Sequence, residues 1–383
     1  MAVTTPAEMP GKRQQLAARV IFFVAGIAMA SWAPIIPLVK IRLHLTDGTL
    51  GWLLFCLGLG SILLMPFAGG FAARFGCQCM IVLSAAVSVL SLIAVAAAPN
   101  PALLAIALLA FGAGIGTLDV VMNIQAVIIE RASGRRMMSG FHGMFSVGGL
   151  VAAAALTGIL SAGIGSLLAM IIVAVVAAIL VGVCYQFFLP YGGDSQSPAF
   201  ALPRGHVLLI GALCFVLFMA EGSVADWGGV FLVSAHRIGP TQAGIGYLAF
   251  AICMTIGRLS GDKLVHVVGA RNLLLFGGTF ASIGYVVAAL APNWWLCVIG
   301  FGMVGAGASN VVPTLFSAAG RQRDMPQNLA LSAVTTMGYL GLLIGPAVIG
   351  GIANALSLSV AFFLLVAMLA TVPFCAKTVA DAG

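Results

Sequence analysis

Charged residues are scarce in this chain, and their scarcity excludes a soluble fold. Only 7% of the 383 residues are Asp, Glu, Lys or Arg, whereas 62% are hydrophobic. Soluble domains carry roughly 25% charged residues. The net charge is +7, but the basic residues form no run or aromatic-interleaved patch that would indicate nucleic-acid binding. A chain of this composition is expected to lie in a lipid bilayer, where Lys and Arg concentrate in cytoplasmic loops.

The sequence also lacks the patterns that enzymes and metal proteins need. It has no G-x-x-x-x-G-K-[ST] loop for nucleotide phosphates, and no Ser/His/Asp set has a soluble domain to organise it. Most of the eight cysteines lie in apolar runs, and Cys77 and Cys79 form C-x-C without a second ligand pair. We therefore predict no enzyme activity, no cofactor, no metal and no disulfide. Any transport must then use an ion gradient or the gradient of the solute itself.

Apolar runs of about 20 residues, the length that crosses a bilayer as a helix, are abundant. We predict twelve spans, at 18–39, 49–71, 79–98, 102–129, 138–161, 167–189, 205–234, 242–261, 272–291, 294–319, 329–352 and 359–376. The first run continues to Val39 and is predicted to be a retained span rather than a cleaved signal peptide. The expected fold is all-α and integral to the membrane.

The basic residues predict which side of the membrane each loop faces. With the N-terminus inside, only Lys40, Arg42 and Arg237 of the 17 Lys and Arg residues fall outside. The other fourteen, Arg258 among them, fall on the inner side. Under the positive-inside rule, this split predicts a multi-pass cell membrane protein with cytoplasmic N- and C-termini, in the inner membrane if the source is a bacterium.

The chain repeats itself at a fixed distance. A shift of 193 residues superposes Gly51 on Gly244, Gly76 on Gly269, Ala98-Pro99-Asn100 on Ala291-Pro292-Asn293, and Gly112-Ala113-Gly114 on Gly305-Ala306-Gly307. Two six-span halves in the same orientation are a known transporter arrangement. We predict twelve transmembrane helices in two pseudo-symmetric six-helix bundles, 18–189 and 205–376, joined by a polar cytoplasmic linker, 190–204.

This architecture resembles the major facilitator superfamily. That family carries G-x-x-x-D-R-x-G-R-R between spans 2 and 3; here Arg74 and Gly76 match, Ala73 replaces the acid, and the mirrored loop keeps Asp262-Lys263. Three segments are similar to the fucose-permease-like branch, including a subgroup similar to rhizopine transport proteins: AEGSVADW (220–227), GFHGMFSVGG (140–149) and GYLGLLIGP (338–346). The resemblance implies a proton-coupled carrier of sugars or polyols, and we expect a monomer.

Span 4 carries a polar stripe that should not face lipid. At about 100° per residue, Gly112, Gly116, Asp119 and Asn123 lie on one face of the helix. An ionisable side chain near the bilayer centre is expected to face a neighbouring helix or an aqueous cavity. Asp119 is therefore a candidate proton carrier and Asn123 a candidate solute contact. The structural alternative is an acid paired with a polar partner that locks two helices together.

Span 7 contains two further acids, in the segment FMAEGSVADWGGVF (218–231). Glu221 and Asp226 are five residues apart, a rotation of about 140°, so they cannot share one face of a regular helix. We predict that Glu221 faces the central cavity as a proton-coupling residue. Asp226 is assigned to the solute or to a packed neighbouring helix, and Trp227 to solute stacking or to the membrane interface.

Three more polar residues complete the candidate site. Imidazole titrates near neutral pH, so His142 in span 5 is a candidate proton relay, with a hydrogen-bonded packing role as the alternative. In span 10, Asn310 lies three residues before Pro313 and is a candidate for a solute contact or a helix-to-helix hydrogen bond. Tyr339 in span 11 has the same two alternatives.

The function we expect is secondary active transport of a small polar solute, sugar- or polyol-like, coupled to protons and working by alternating access. The alternative is a drug/proton antiporter that exports small organic compounds. Such antiporters carry G-x-x-x-G-P in span 5, whereas here the motif lies in span 11 as Gly341, Gly345 and Pro346, which disfavours export. A sensor or scaffold would need a soluble domain, and no predicted loop is long enough to form one.

The predicted topology can be tested by labelling single cysteines in a cysteine-free background with a membrane-impermeant reagent. The loops at 98–101 and 291–294 should be labelled from outside, and those at 131–137 and 321–328 only after the membrane is opened. Asn100→Cys and Ser133→Cys are the informative pair. Labelling of position 133 in intact cells would overturn the topology.

Overall fold

The structure is a computed structural model that describes residues 10–133, 137–192, 203–325 and 327–381, without the side chains of Ser139, Asp262, Lys263, Gln327 and Asn328. The predicted Asp262-Lys263 pair and most of the predicted linker 190–204 therefore lie outside the described part.

The apolar runs form helices along the described chain. These are α1 (Lys12–Ala30), α2 (Ile36–Arg42), α3 (Asp47–Ala97), α4 (Pro101–Ser133), α5 (Met138–Ser161), α6 (Ser166–Cys184), α7 (His206–His236), α8 (Ile245–Val268), α9 (Ala270–Leu290), α10 (Trp294–Ala308), α11 (Val311–Arg321), α12 (Gln327–Ala355), α13 (Leu358–Leu369) and α14 (Thr371–Asp381). Short 3₁₀ turns, Ala33–Ile35 and Tyr185–Phe187, lie between α1 and α2 and after α6.

These helices account for twelve spans. Ten helical segments of the described residues are long and apolar enough to cross a membrane, and a shorter apolar helix, Ile245–Gly261, adds another. One of the ten, α3, has 51 residues and is interrupted at Gly76. At 1.5 Å per residue it would extend about 76 Å, more than twice the hydrocarbon core, so it supplies two spans. The predicted all-α membrane fold with twelve helices is confirmed.

Equivalent positions of the repeat have the same backbone geometry. Gly76 has φ 82° and ψ 154°, and Gly269 has φ 81° and ψ 154°, a region that favours glycine because it has no Cβ. The Oδ1 atoms of Asn100 and Asn293 accept hydrogen bonds from the backbone N–H three residues on, at 2.9 Å and 3.1 Å. The repeat in the sequence is thus a repeat of structure, which gives the two bundles their pseudo-symmetry.

The two bundles meet through two symmetry-related helix pairs, α3 with α12 and α5 with α8. Gly51 lies so close to α12 that a Cβ there would be 2.6 Å from the Pro346 carbonyl oxygen and 3.1 Å from the Cα of Gly350. Its repeat partner Gly244 lies equally tightly against Thr157 of α5. The 193-residue shift also takes Thr157 to Gly350, so one contact is the symmetry mate of the other. Small residues permit this close approach between helices in a membrane.

The lipid-facing surface is apolar, as expected for spans in a bilayer. Ile106, Val183 and Phe276 are all more than 60% exposed, whereas large side chains such as Phe111 and Phe301 are fully buried within the bundles. Hydrophobic side chains therefore cover both the interior and the exterior of each bundle. In lipid this arrangement carries no penalty, whereas a soluble protein with such patches would aggregate.

Outside the spans, Asp324 binds the start of α7. Its Oδ2 accepts a hydrogen bond from the His206 backbone N–H at 2.6 Å and lies 2.8 Å from the ring Nδ1. These bonds favour the ionised carboxylate, so the pKa of Asp324 is lowered from its ordinary value, by the backbone amide first and the imidazole second. An anion at a helix N-terminus is also stabilised by the helix dipole. The α11–α12 loop is thereby tied to the beginning of the second bundle.

The close contact at Gly51 predicts the effect of one added methyl group. Gly51→Ala should destabilise the arrangement in which α3 and α12 touch, by about 1–3 kcal/mol, because the opposing atoms are backbone. Purified protein should melt at a lower temperature, and a cysteine placed at Ser317 in the cavity between the bundles should be labelled more slowly. Gly351→Ala is the control, since a Cβ there has no atom within 4 Å. Equal melting temperatures for both variants would contradict the contact.

Candidate functional site

A cavity of about 1570 Å³ lies between the two bundles. Most of its lining comes from α4 and α5 of the first bundle and from α8, α11 and α12 of the second, and α3, α7 and α9 contribute one residue each. Its wall reaches Arg131 at the end of α4, Met138 at the start of α5 and Arg321 at the end of α11. The α3–α12 and α5–α8 glycine contacts close the opposite end of the bundles. The cavity therefore opens toward the side on which the sequence places the cytoplasm.

Three of the predicted site residues meet in the cavity wall. The Tyr339 hydroxyl of α12 donates a hydrogen bond to Asp119 Oδ2 of α4 at 3.0 Å. The Asn123 side-chain amide donates to the Asp119 backbone carbonyl at 2.8 Å and lies 3.4 Å from Oδ1. All three residues line the cavity. The hydrogen bond from Tyr339 to Asp119 thus crosses from one bundle to the other, and the carboxylate keeps access to the cavity.

His142 and Asn310 line the same cavity. The His142 ring contacts Phe22 edge-on, with 5.2 Å between ring centroids. Asn310 lies at the break between α10 and α11, and its side-chain amide donates to the Gly257 carbonyl of α8 at 2.8 Å. Asn310 therefore makes the helix-to-helix hydrogen bond that the sequence left open, and it still faces the cavity.

The predicted residues of α7 lie behind the cavity wall, of which α7 supplies Phe218. Glu221 Oε2 is 3.4 Å from Arg258 Nη2, and its other oxygen, Oε1, is buried without a hydrogen-bond partner. Asp226 makes no hydrogen bond or ion pair within the described part of the chain. Trp227 is fully buried against Gly350, so its indole does not reach the membrane interface. The cavity-facing position predicted for Glu221 and the membrane-interface alternative for Trp227 are therefore wrong, because α7 turns these side chains toward neighbouring helices. The proton-coupling role of Glu221 and the solute-binding roles of Asp226 and Trp227 stay predictions.

Arg258 is the site residue that the sequence analysis misplaced. The charge pattern of the sequence places it among the inner basic residues, but it lies inside α8 and lines the cavity. The inner count falls to thirteen, still against three outside, so the predicted orientation is unchanged. The signal was present, because position 258 falls within the predicted span 242–261. An arginine inside a span is expected to pair with an acid or to face water, and Arg258 does both.

The cavity wall is more basic than acidic. Its cations are Arg131, Arg258 and Arg321, and Asp119 is the one acid among the described residues that line it. Glu130, next to Arg131, points elsewhere and accepts hydrogen bonds from the Met137 and Met138 backbone amides at 2.5 Å and 2.8 Å. It caps the N-terminus of α5.

Comparison with known families identifies the fold. The model of the Major Facilitator Superfamily matches residues 20–263, more than half of the chain. The chain belongs to the major facilitator superfamily. The resemblance stated from the span pattern and the short motifs is thereby confirmed.

Two bacterial relatives match along nearly their whole length. An uncharacterized MFS-type transporter of Yersinia pestis is 49% identical over 374 residues, which is 97% of each chain. The membrane protein MosC of Rhizobium meliloti is 31% identical over 369 residues, 94% of this chain and 88% of its own. This facilitator is thus similar along its length to one protein named as an MFS-type transporter and to one named as a membrane protein.

Solved structures of the same fold include two transporters. The nucleoside transporter NupG superposes with a TM-score of 0.76 at 14% identity, covering 96% of this chain and 98% of its own. A point mutant of the E. coli fucose:proton symporter FucP gives 0.62 at 17% identity, covering 95% and 98%. At this identity the comparison establishes the fold alone.

The hydrogen bond between the bundles gives a stability prediction. Tyr339→Phe removes the hydroxyl that reaches Asp119 and should cost about 1.5–3 kcal/mol, the range for bonds to charged groups. The measurement is the melting temperature of purified protein in detergent. Tyr247→Phe is the matched control, because the Tyr247 hydroxyl makes no hydrogen bond in the described structure. If both variants melt alike, the cross-bundle bond does not stabilise this conformation.

Proposed function

We propose that this facilitator moves a small polar solute, sugar- or polyol-like, together with protons. The two bundles rock about the central cavity, so that the site is exposed to one side of the membrane and then to the other. The conformation described is the one open to the cytoplasm, with cytoplasmic N- and C-termini. The solute binds between Asp119, Asn123, Asn310 and Tyr339, with His142 in the same wall.

One observation carries this proposal. A carboxylate, Asp119, lies in a water-accessible cavity between the halves and accepts a hydrogen bond from the opposite half through Tyr339. Its protonation state can therefore influence whether the halves hold together. A carboxylate that must cross between conformations within a low-dielectric wall moves more readily when it is neutral. Coupling to protons follows, because the proton removes the charge that opposes the change.

The comparisons add support of a coarser kind. Proteins of this fold include a nucleoside transporter and a fucose:proton symporter, both of which carry polar solutes according to their names. The relatives similar in sequence are a protein named as a transporter and one named as a membrane protein. The names of these relatives and solved structures support transport as the function of this chain.

The experiment uses purified protein in liposomes with an imposed pH gradient. A panel of labelled neutral, acidic and amino sugars and polyols is offered, and solute accumulation against its own gradient is measured. Asp119→Asn keeps the shape of the side chain and removes its titration, so accumulation should fall at least about tenfold while the protein remains folded.

Asp381→Asn is the matched control, because it makes the same chemical change at an exposed position at the end of α14. It should accumulate solute like the wild type. Normal accumulation by Asp119→Asn under the pH gradient would remove Asp119 as the proton carrier. Absence of pH-driven accumulation of every panel member by the wild type would contradict the proposed function.

A further inference from the structure

We propose that Arg258 binds a carboxylate on the solute, so that the substrate class is a sugar acid or a similar polyhydroxylated carboxylate. This inference rests on the proposed transport function and narrows its substrate. It arises from the ion pair between Arg258 and Glu221, in which each side chain has hydrogen-bonding atoms without a partner.

The arginine has more hydrogen-bond donors than partners. A guanidinium presents five N–H donors in a planar fork. Arg258 uses one contact, from Nη2 to Glu221 Oε2, and at 3.4 Å it is well beyond the roughly 2.7–2.9 Å of a strong charge-assisted bond. The side chain is 37% exposed and lines the cavity, so the free donors are accessible to a solute.

One oxygen of the Glu221 carboxylate also lacks a hydrogen-bond partner. Glu221 Oε1 is buried with no hydrogen-bond partner, and the whole side chain is 17% exposed. A buried oxygen without a donor is costly, and an ion pair with poor geometry does not repay the desolvation of its charges. The pair is therefore poorly suited as a permanent structural lock. It is suited to a cation that exchanges one carboxylate for another.

The cavity favours an anion in that exchange. Arg131 and Arg321 stand at its mouth, so an anion entering from the cytoplasmic side meets positive potential before it reaches Arg258. The one acid among the described wall residues, Asp119, already accepts a hydrogen bond from Tyr339. Hydroxyl groups of the same solute would find amide and hydroxyl partners at Asn123 and Ser317, which line the cavity as well.

The exchange balances charge through a proton. When the solute carboxylate pairs with Arg258, Glu221 loses its counter-charge and takes a proton from the solvent. Before binding, the positive charge of Arg258 and the negative charge of Glu221 cancel. After binding, the charge of Arg258 is cancelled by the solute carboxylate, and Glu221 is neutral because it is protonated. The charged and titratable groups near Glu221 are Arg258 and Tyr247 on α8, Tyr285 on α9, and Cys214 on α7, and Asp226 of α7 is a neighbour of the same two tyrosines. One anion therefore binds with one proton.

The test compares matched acid and neutral probes on purified protein. Glucuronate, galacturonate and gluconate are compared with glucose, galactose and glucitol respectively, each of which has a hydroxymethyl group in place of the carboxylate. Binding is measured as a rise in melting temperature. At least one acid should stabilise the wild type at a concentration at which its neutral partner does not.

Variants assign the effect to the guanidinium. Arg258→Gln should weaken acid binding at least about tenfold, the value of one charge-assisted bond. Arg258→Lys keeps the positive charge but lacks the planar guanidinium, so it should bind the acid with intermediate affinity. Such partial binding would show that the loss in Arg258→Gln does not come from unfolding. Arg323→Gln makes the same change at an exposed residue that does not line the cavity and should bind like the wild type. Glu221→Gln should bind the acid at least as tightly but take up no proton on binding.

Three results would overturn the inference: no acid of the panel binds, the neutral partners bind as well as the acids, or Arg258→Gln binds the acid like the wild type. These results are distinct from failure of the proposed function. If a neutral solute is accumulated under a pH gradient and depends on Asp119, proton-coupled transport stands and the sugar-acid substrate falls. If acids bind through Arg258 but no gradient drives them, the substrate class stands without the coupling.

Discussion

The rest of the structure depends on the cost of placing ionised groups inside a bilayer. A charge within the hydrocarbon region requires water or a counter-charge, and a single helix in lipid provides neither. The chain has few acids, and those within its spans are found where helices of the two bundles meet or close behind that surface. Asp119 faces the cavity and Tyr339 from the opposite bundle, and Glu221 pairs with Arg258. The interface between the bundles is therefore the place in the fold where these side chains can be charged.

In the proposed transport cycle the same interface must also open, and the internal repeat explains how it can. Two glycine contacts related by the 193-residue shift, at Gly51 and Gly244, hold the bundles together at one end. Because each contact is a close approach of small residues rather than an interlocked set of long side chains, it can open without repacking a core. The polar groups near the middle then remain in place while access changes from one side of the membrane to the other.

The acids of the site lie at different depths relative to the cavity. Asp119 lines the open cavity, whereas Asp226 and Trp227 lie behind its wall, with Trp227 packed against Gly350 at the closed end. Arg258 lines the cavity and contacts Glu221, whose Oε1 atom is buried behind the wall. A solute that engages Arg258 would thus sit where the two regions meet, which is where a coupling site is most effective.

The sequence by itself determined the spans, their count, the repeat and the face of α4 that holds Asp119 and Asn123, because hydrophobic length and helical period are local properties of the chain. It also determined that Glu221 and Asp226 cannot act together on one face. It did not determine that Tyr339 donates a hydrogen bond to Asp119, 220 residues away. Nor did it determine that Arg258 lies inside a span, where it pairs with Glu221, rather than in an inner loop. It also left open that Trp227 packs beneath Gly350 instead of at the membrane interface. Those partners were decided by the tertiary structure alone, since a helix's period fixes which side chains share a face but not which helix packs against that face.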